Sequence, residues 1–223
     1  MKRYSVGIVI VTSVAACGLV LFLFVLPGVA ICSGISPVSM TDSADPVASN
    51  PLSIEALRKR SFSAQELVTV ENLGDMGLYT SRIVSYEADG LTLRALLNIP
   101  KNSKPGQGFP VVVVNHGHIT PAQYSTTGSY VYISRFFPEN GFIMLKPDYR
   151  GHGKSQGETE TRLGRPPYAV DVLVLIAAIP SIKEADAGNV FLWGHSMGGE
   201  VSLAVLEANN SLRAASLWGS VSA

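Results

Sequence analysis

Ser196 sits where its neighbours make a hydroxyl chemically useful. It belongs to Gly194-His195-Ser196-Met197-Gly198, which follows an apolar run, Val190 to Trp193, and precedes a helical pattern through Val201, Leu203, Ala204, Val205 and Leu206. The spacing predicts a strand, a sharp turn and a helix, the context in which a Gly-x-Ser-x-Gly motif exposes a nucleophile. A serine hydroxyl is a weak nucleophile, so it must stand where a base can reach it. Glycines at 194 and 198 remove the clashes that side chains would make around such a turn, and Ser196 itself is expected in a strained backbone conformation. The helix that begins there aims free amide groups and its positive end at the reacting centre.

Two other stretches could do chemistry. One is His116-Gly117-His118, at the end of the β-branched run Val111 to Val114. The other is Asp148-Tyr149-Arg150-Gly151-His152-Gly153-Lys154-Ser155, after Phe142 to Leu145. Neither brings a histidine and carboxylates together with the spacing of metal ligands on one face, so no metal or other cofactor is expected. Tyr124 reads as a packed tyrosine, Glu200 as a helix residue behind the site, and Asp171 as a solvated or paired residue on a helix face.

The elements that must position these residues follow from pattern. Arg82 to Glu87 and Leu91 to Leu97 are alternating runs joined by Ala88-Asp89-Gly90, which predicts a hairpin. Val111 to Val114 predicts a strand buried on both faces of a parallel sheet. Ser129 to Asn140 reads as a helix stopped by Gly141, Phe142 to Leu145 as a strand, and Pro167 to about Ile179 as a helix opened by proline. Leu212 to Trp218 reads as a last strand. Strands alternating with helices give an open, mostly parallel α/β sheet with an N-terminal antiparallel hairpin. The three chemical stretches then fall at the carboxyl ends of successive parallel strands, the edge where open α/β sheets place their sites.

Before this domain, Val6 to Leu26 is a run without a charge, preceded by Lys2 and Arg3. About 20 such residues suit a bilayer-spanning helix with the N-terminus in the cytoplasm and the rest of the chain outside it. Cleavage between about Ala30 and Gly34, and so secretion, is the rival reading. The expected organisation is an anchor or signal segment over 1–32, a linker with a short helix over 33–72, and the α/β domain over 73–223. Lys and Arg together number 17, as do Asp and Glu, and no basic block stands out, which argues against nucleic acid. Both cysteines, Cys17 and Cys32, lie in or beside the apolar run, so neither a disulfide nor a thiolate metal site is expected in the domain.

From about Leu73 onward the chain resembles the α/β-hydrolase superfamily, most closely its prolyl-oligopeptidase-like (S9) serine peptidases and the related esterase branch. The resemblance rests on His116-Gly117, on Asp148 to Ser155 and on Gly194 to Gly199, in that order and spacing. It implies Ser196 as nucleophile and the Met197 amide as one oxyanion donor. The second donor is implied at or just after Gly117, hence Gly117 or His118. His116, Asp148, Arg150, Gly194, His195 and Gly198 are implied as structural residues around the site. The activity implied is cleavage of peptide or ester bonds through an acyl-serine intermediate, on a small peptide or ester substrate.

The superfamily's acid and histidine follow the serine in chain order. Residues 197–223 contain neither Asp nor His, and the histidines His116, His118, His152 and His195 all belong to the motifs above. The expectation is therefore of an incomplete hydrolase domain, inactive or nearly so on its own. The alternatives are an esterase or lipase, a transferase using the same serine, and a membrane-tethered α/β module that only binds.

Overall fold

The computed structural model describes residues 50–159 and 167–221. The expected anchor or signal segment, 1–32, and residues 33–49 of the expected linker lie outside them. Among the described residues no helix is long and apolar enough to cross a membrane.

Chain order is α1 (Ile54–Lys59), β1 (Val68–Asp75), β2 (Tyr79–Ala88), β3 (Leu91–Pro100), β4 (Phe109–Asn115), α2 (Val131–Glu139), β5 (Ile143–Pro147), α3 (Tyr168–Ala178), β6 (Ala185–His195), α4 (Met197–Ala208) and β7 (Ala214–Trp218). The strands form one sheet in the order β1-β2-β3-β5-β4-β6-β7. The expected hairpin is β2–β3, turned by Asp89 and Gly90, whose φ angles of 53° and 76° suit a two-residue turn matched to the twist of the strands. β3 then pairs antiparallel with β5, so the sheet is evenly mixed rather than mostly parallel. The pairs β1–β2, β2–β3 and β3–β5 are antiparallel, while β4–β5, β4–β6 and β6–β7 are parallel. The departure has a simple cause: the hairpin does not stand beside the parallel strands but extends their sheet at its β5 edge.

β1 is a strand that the sequence pattern does not mark. It shows no apolar alternation, most of its residues are exposed, and it bulges twice against β2. Its pairing partner makes it a strand. α1 is a short helix of six residues, and the Ser53 hydroxyl caps it by accepting from the Ala56 amide at 3.2 Å.

Along β4 successive side chains go to opposite faces, as the pleat requires. Val111 and Val113 join the larger core with residues of α3 and α4, including Val172, Leu175, Val201 and Val205. Val112 and Val114 join a smaller cluster with Leu96 and Met144, against which Ile133 and Phe137 of α2 pack. α3 is apolar on nearly every side and is correspondingly buried, which is what such a composition dictates. The loops that follow β4, β5 and β6 therefore emerge at one sheet edge, held from both faces.

Candidate functional site

Ser196 is the hinge between β6, which ends at His195, and α4, which begins at Met197. Its φ of 53° and ψ of −123° put a side-chain-bearing residue in sparsely populated backbone space. Such strain costs on the order of 1–3 kcal/mol and persists only where the surroundings enforce it. Here they do. The Ser196 amide donates to the Trp218 carbonyl of β7 at 2.9 Å. A Cβ at Gly194 would stand 2.6 Å from the Gly198 carbonyl oxygen, and one at Gly198 only 2.0 Å from that of Asn115. The buried Ser202 hydroxyl donates to the Gly198 carbonyl at 2.7 Å and accepts from the Asn115 amide at 2.8 Å, latching the end of β4 to the first turn of α4. Strand, turn and helix approach so closely that only glycine fits.

A cavity of about 490 Å³ opens against Ser196. Its wall includes Met197, Glu200, Val201 and Ala204 of α4, His118, Pro167 and Tyr168, with Leu52 and Leu57 on the α1 side. α1 is held over this cavity in part by Arg58, whose Nε donates to the Glu207 carbonyl near the end of α4 at 2.6 Å. Among the described residues no hydrogen-bond partner meets the Ser196 hydroxyl. The Met197 amide, as the first of α4, has no intrahelical acceptor and belongs to the positive end of the helix.

The two amides expected as second oxyanion donor differ in what they do. Gly117 N–H donates to the Tyr130 hydroxyl at 2.8 Å and so is already engaged. His118 is exposed and lines the cavity.

The other histidines make their contacts elsewhere than at the Ser196 hydroxyl. His116 is fully buried and packs on the rings of Tyr124 and Tyr149, at centroid distances of 4.6 and 4.3 Å. Burial lowers its pKa to about 3, so its ring is neutral at physiological pH. His152 is buried, with Nε2 at 3.0 Å from the Ile119 carbonyl. His195 contacts the Tyr130 hydroxyl through Nδ1 at 2.7 Å.

The turn after β5 is a structural knot. Asp148 is fully buried and accepts from the hydroxyls of Tyr124 at 2.7 Å and Thr126 at 2.5 Å. Burial pushes its pKa up, against the pull of those two hydrogen bonds. Tyr124 is thus a packed tyrosine, as its reading predicts. Arg150 binds Asp171 through Nε at 3.0 Å and one terminal nitrogen at 2.6 Å, and its own amide donates to the same carboxylate at 2.9 Å. Asp171 is fully buried, which corrects the solvated alternative. It lies on α3 facing the β5 turn, and a buried carboxylate needs a partner of this kind. Asp89 of the hairpin turn reaches Arg150 from the other side at 3.3 Å and also pairs with Arg60. Lys146 lies beneath this turn, fully buried, donating to the Ser129 carbonyl at 2.7 Å, and desolvation lowers its pKa to about 8. Neither Lys146 nor Tyr130 carries a local signal, since each is one polar residue inside an otherwise ordinary strand or helix pattern. Among the described residues no group of three or more His, Cys, Asp or Glu is arranged to hold a metal ion.

A family model described as serine aminopeptidase, S33 matches residues 108–221. No curated protein matches the chain. Among solved structures, an acetyl xylan esterase from Paenibacillus sp. R4 aligns with a TM-score of 0.55 at 21% identity, over 73% of this chain and 55% of its own. Acetyl xylan esterase 1 from Thermoanaerobacterium sp. JW/SL YS485 aligns with a TM-score of 0.57 at 18% identity, over the same shares, 73% and 55%. The chain thus spans about half the length of these structures, and likeness at such identity speaks to the fold.

Proposed function

From the premise that the chain belongs to the serine aminopeptidase S33 family of α/β-hydrolases, we propose that Ser196 is the nucleophile of a hydrolase acting through an acyl-serine intermediate. The observation that carries this reading is the strained Ser196 turn at the start of α4, facing the 490 Å³ cavity. In the proposed reaction the Ser196 hydroxyl attacks a carbonyl carbon, and the alcohol or amine leaves with a proton. Water then releases the acid and restores the serine. Negative charge develops on the carbonyl oxygen in the tetrahedral state, where the Met197 amide and the His118 amide would meet it; losing one such donor typically costs about 2.7–4 kcal/mol. Gly117 drops out of this role because its amide already serves Tyr130.

The substrate we favour is a small carboxylic ester with an apolar acyl or alkyl group. Leu57, Met197, Val201 and Ala204 give the cavity an apolar wall beside the serine, and an ester needs less help with its leaving group than an amide. The family description speaks for a peptidase, which remains the second reading. The matching family model is that of S33, so the prolyl-oligopeptidase-like form of this reading has no support of its own. Because the chain spans about half of its structural relatives, the activity is proposed for the whole protein.

The test is labelling by a fluorophosphonate together with hydrolysis of short p-nitrophenyl esters and of aminoacyl amides. Labelling at Ser196, lost in Ser196→Ala with a fall in ester turnover of up to about 10⁶-fold, supports the reading. Undiminished turnover in Ser196→Ala sinks it, and faster turnover of the amides than of the esters moves the assignment to a peptidase. We also propose that residues 6–26 tether the domain outside the cytoplasm. Recovery of the protein in the soluble cytoplasmic fraction would contradict this.

A further inference from the structure

The Tyr130 hydroxyl joins two loops that the chemistry needs in fixed register. It accepts from the Gly117 amide at 2.8 Å and lies 2.7 Å from His195 Nδ1, and we assign its single proton to that second bond. That assignment makes Nδ1 the acceptor and leaves the His195 ring proton on Nε2. Gly117 precedes His118 on the loop after β4, and His195 precedes Ser196 at the end of β6. One phenol therefore spans the residue before the proposed oxyanion donor and the residue before the proposed nucleophile.

Three further observations show that this position is enforced. Tyr130 has φ 57° and ψ 34°, a left-handed conformation that a bulky residue adopts only when its surroundings hold it there. Its ring also meets Trp193 of β6 edge-on, at a centroid distance of 5.9 Å. A Cβ at Gly117 would fall 2.9 Å from the Tyr130 hydroxyl and 3.1 Å from the His195 carbonyl oxygen, so the two loops touch at this point.

We propose that Tyr130 is a positioning residue that clamps the 116–118 loop to the Ser196 turn and thereby sets the distance between the His118 amide and the serine. This rests on the reading of Ser196 as nucleophile. The clamp acts on geometry that matters when the oxyanion forms, so its loss lowers kcat and leaves KM largely unchanged. Misplacing a catalytic group by about 1 Å can cost on the order of 10²-fold, which bounds the expected effect in Tyr130→Phe.

The experiment has two independent readouts on the whole protein. The first is the imidazole nitrogen NMR shifts of His195, in wild type and in Tyr130→Phe. The clamp requires an unprotonated, hydrogen-bonded Nδ1 and a protonated Nε2 in wild type, with the Nδ1 bond signature lost in the variant. The second is the kcat and KM of ester hydrolysis for Tyr130→Phe and for His195→Phe, which removes the acceptor from the other side. Each should lose tenfold or more in kcat at constant KM, and the double variant should lose no more than the worse single one. A protonated Nδ1 in wild type, or full kcat in either folded variant, overturns the proposal. If wild-type Ser196 takes no fluorophosphonate label, the serine-hydrolase reading fails and the positioning role fails with it. The His195 spectrum then shows only whether the hydrogen bond exists.

Discussion

The turn after β5 and the turn after β6 lie at the same edge of the sheet, and both are built from glycine, histidine and hydroxyl residues. They differ in what they keep for themselves. After β5, Asp148 is held by Tyr124 and Thr126, and Arg150 by Asp171 and Asp89, so the polar groups that promised chemistry are consumed by the fold. After β6, Ser196 is held by its backbone alone, through strain, close glycine contacts and the bond to Trp218, and its hydroxyl has no partner among the described residues. A side chain fixed by its own hydrogen bonds is structure. A side chain fixed only through its backbone, and facing a cavity, is available for reaction.

The contrast can be broken first at Gly198. A methyl group there would meet the Asn115 carbonyl oxygen at 2.0 Å, backbone against backbone, so relief requires moving β4 or α4. Gly198→Ala should cost about 3 kcal/mol or more and abolish fluorophosphonate labelling. A urea midpoint and a labelling rate equal to wild type would show that the turn is not enforced by contact.

Asp171 sharpens it from the other side. Removing one partner of a buried pair leaves an uncompensated charge and typically costs about 3–5 kcal/mol. Asp171→Ala should lose that much in urea unfolding, while molecules that remain folded label at Ser196 at close to the wild-type rate. A large labelling defect in folded protein would instead tie the β5 turn to the chemistry.

His116 gives a pH-dependent effect of intermediate size. Its folded pKa of about 3 lies below the ordinary histidine value near 6.5. Between those values the unfolded chain holds the extra proton. The stabilisation from burying a neutral ring is thus complete above about pH 6.5 and declines as pH falls toward 3. Asp148 and Asp171, held above the usual carboxylate range by burial, act in the opposite sense at the acid end, so the difference from a variant isolates the histidine. The urea midpoint of wild type should fall more steeply between pH 7 and pH 4.5 than that of His116→Phe. Parallel curves would mean that His116 is not buried neutral.

The smallest effect sets a floor for both turns. Arg135 and Glu139 pair one turn apart on the exposed side of α2, at 3.2 Å. Arg135→Ala should cost about 0.3–0.5 kcal/mol at low salt, less at high salt, and nothing in labelling. A cost above about 1 kcal/mol would mean that α2 contributes more to the edge than its exposed pair implies.

How much of this was legible in the chain varies with the range of the interaction. The hairpin follows from alternation around Asp89-Gly90, and β4 follows from four consecutive valines, since both patterns act between near neighbours. The Ser196 turn is legible for the same reason: strand, glycine spacing and helix are adjacent in sequence, and the conformation they force is local. β1 was not legible, because an exposed strand without alternation becomes a strand only when β2 offers its edge. Reading Asp171 as a helix-face carboxylate placed it correctly on α3, but its burial depends on where the β5 turn lies across the sheet.

By itself, then, the sequence determined the backbone at Ser196, the strands that lead to it and the glycines that let the chain pass so close. The tertiary structure decided which polar residues remain available. Only the strand order β5-β4-β6 brings Gly117, Tyr130 and His195 together, takes Gly117 N–H out of use and leaves His118 beside the cavity. Backbone conformation is governed by sterics within a few residues, whereas the pairing of a buried polar group is settled by whichever distant segment the sheet brings against it.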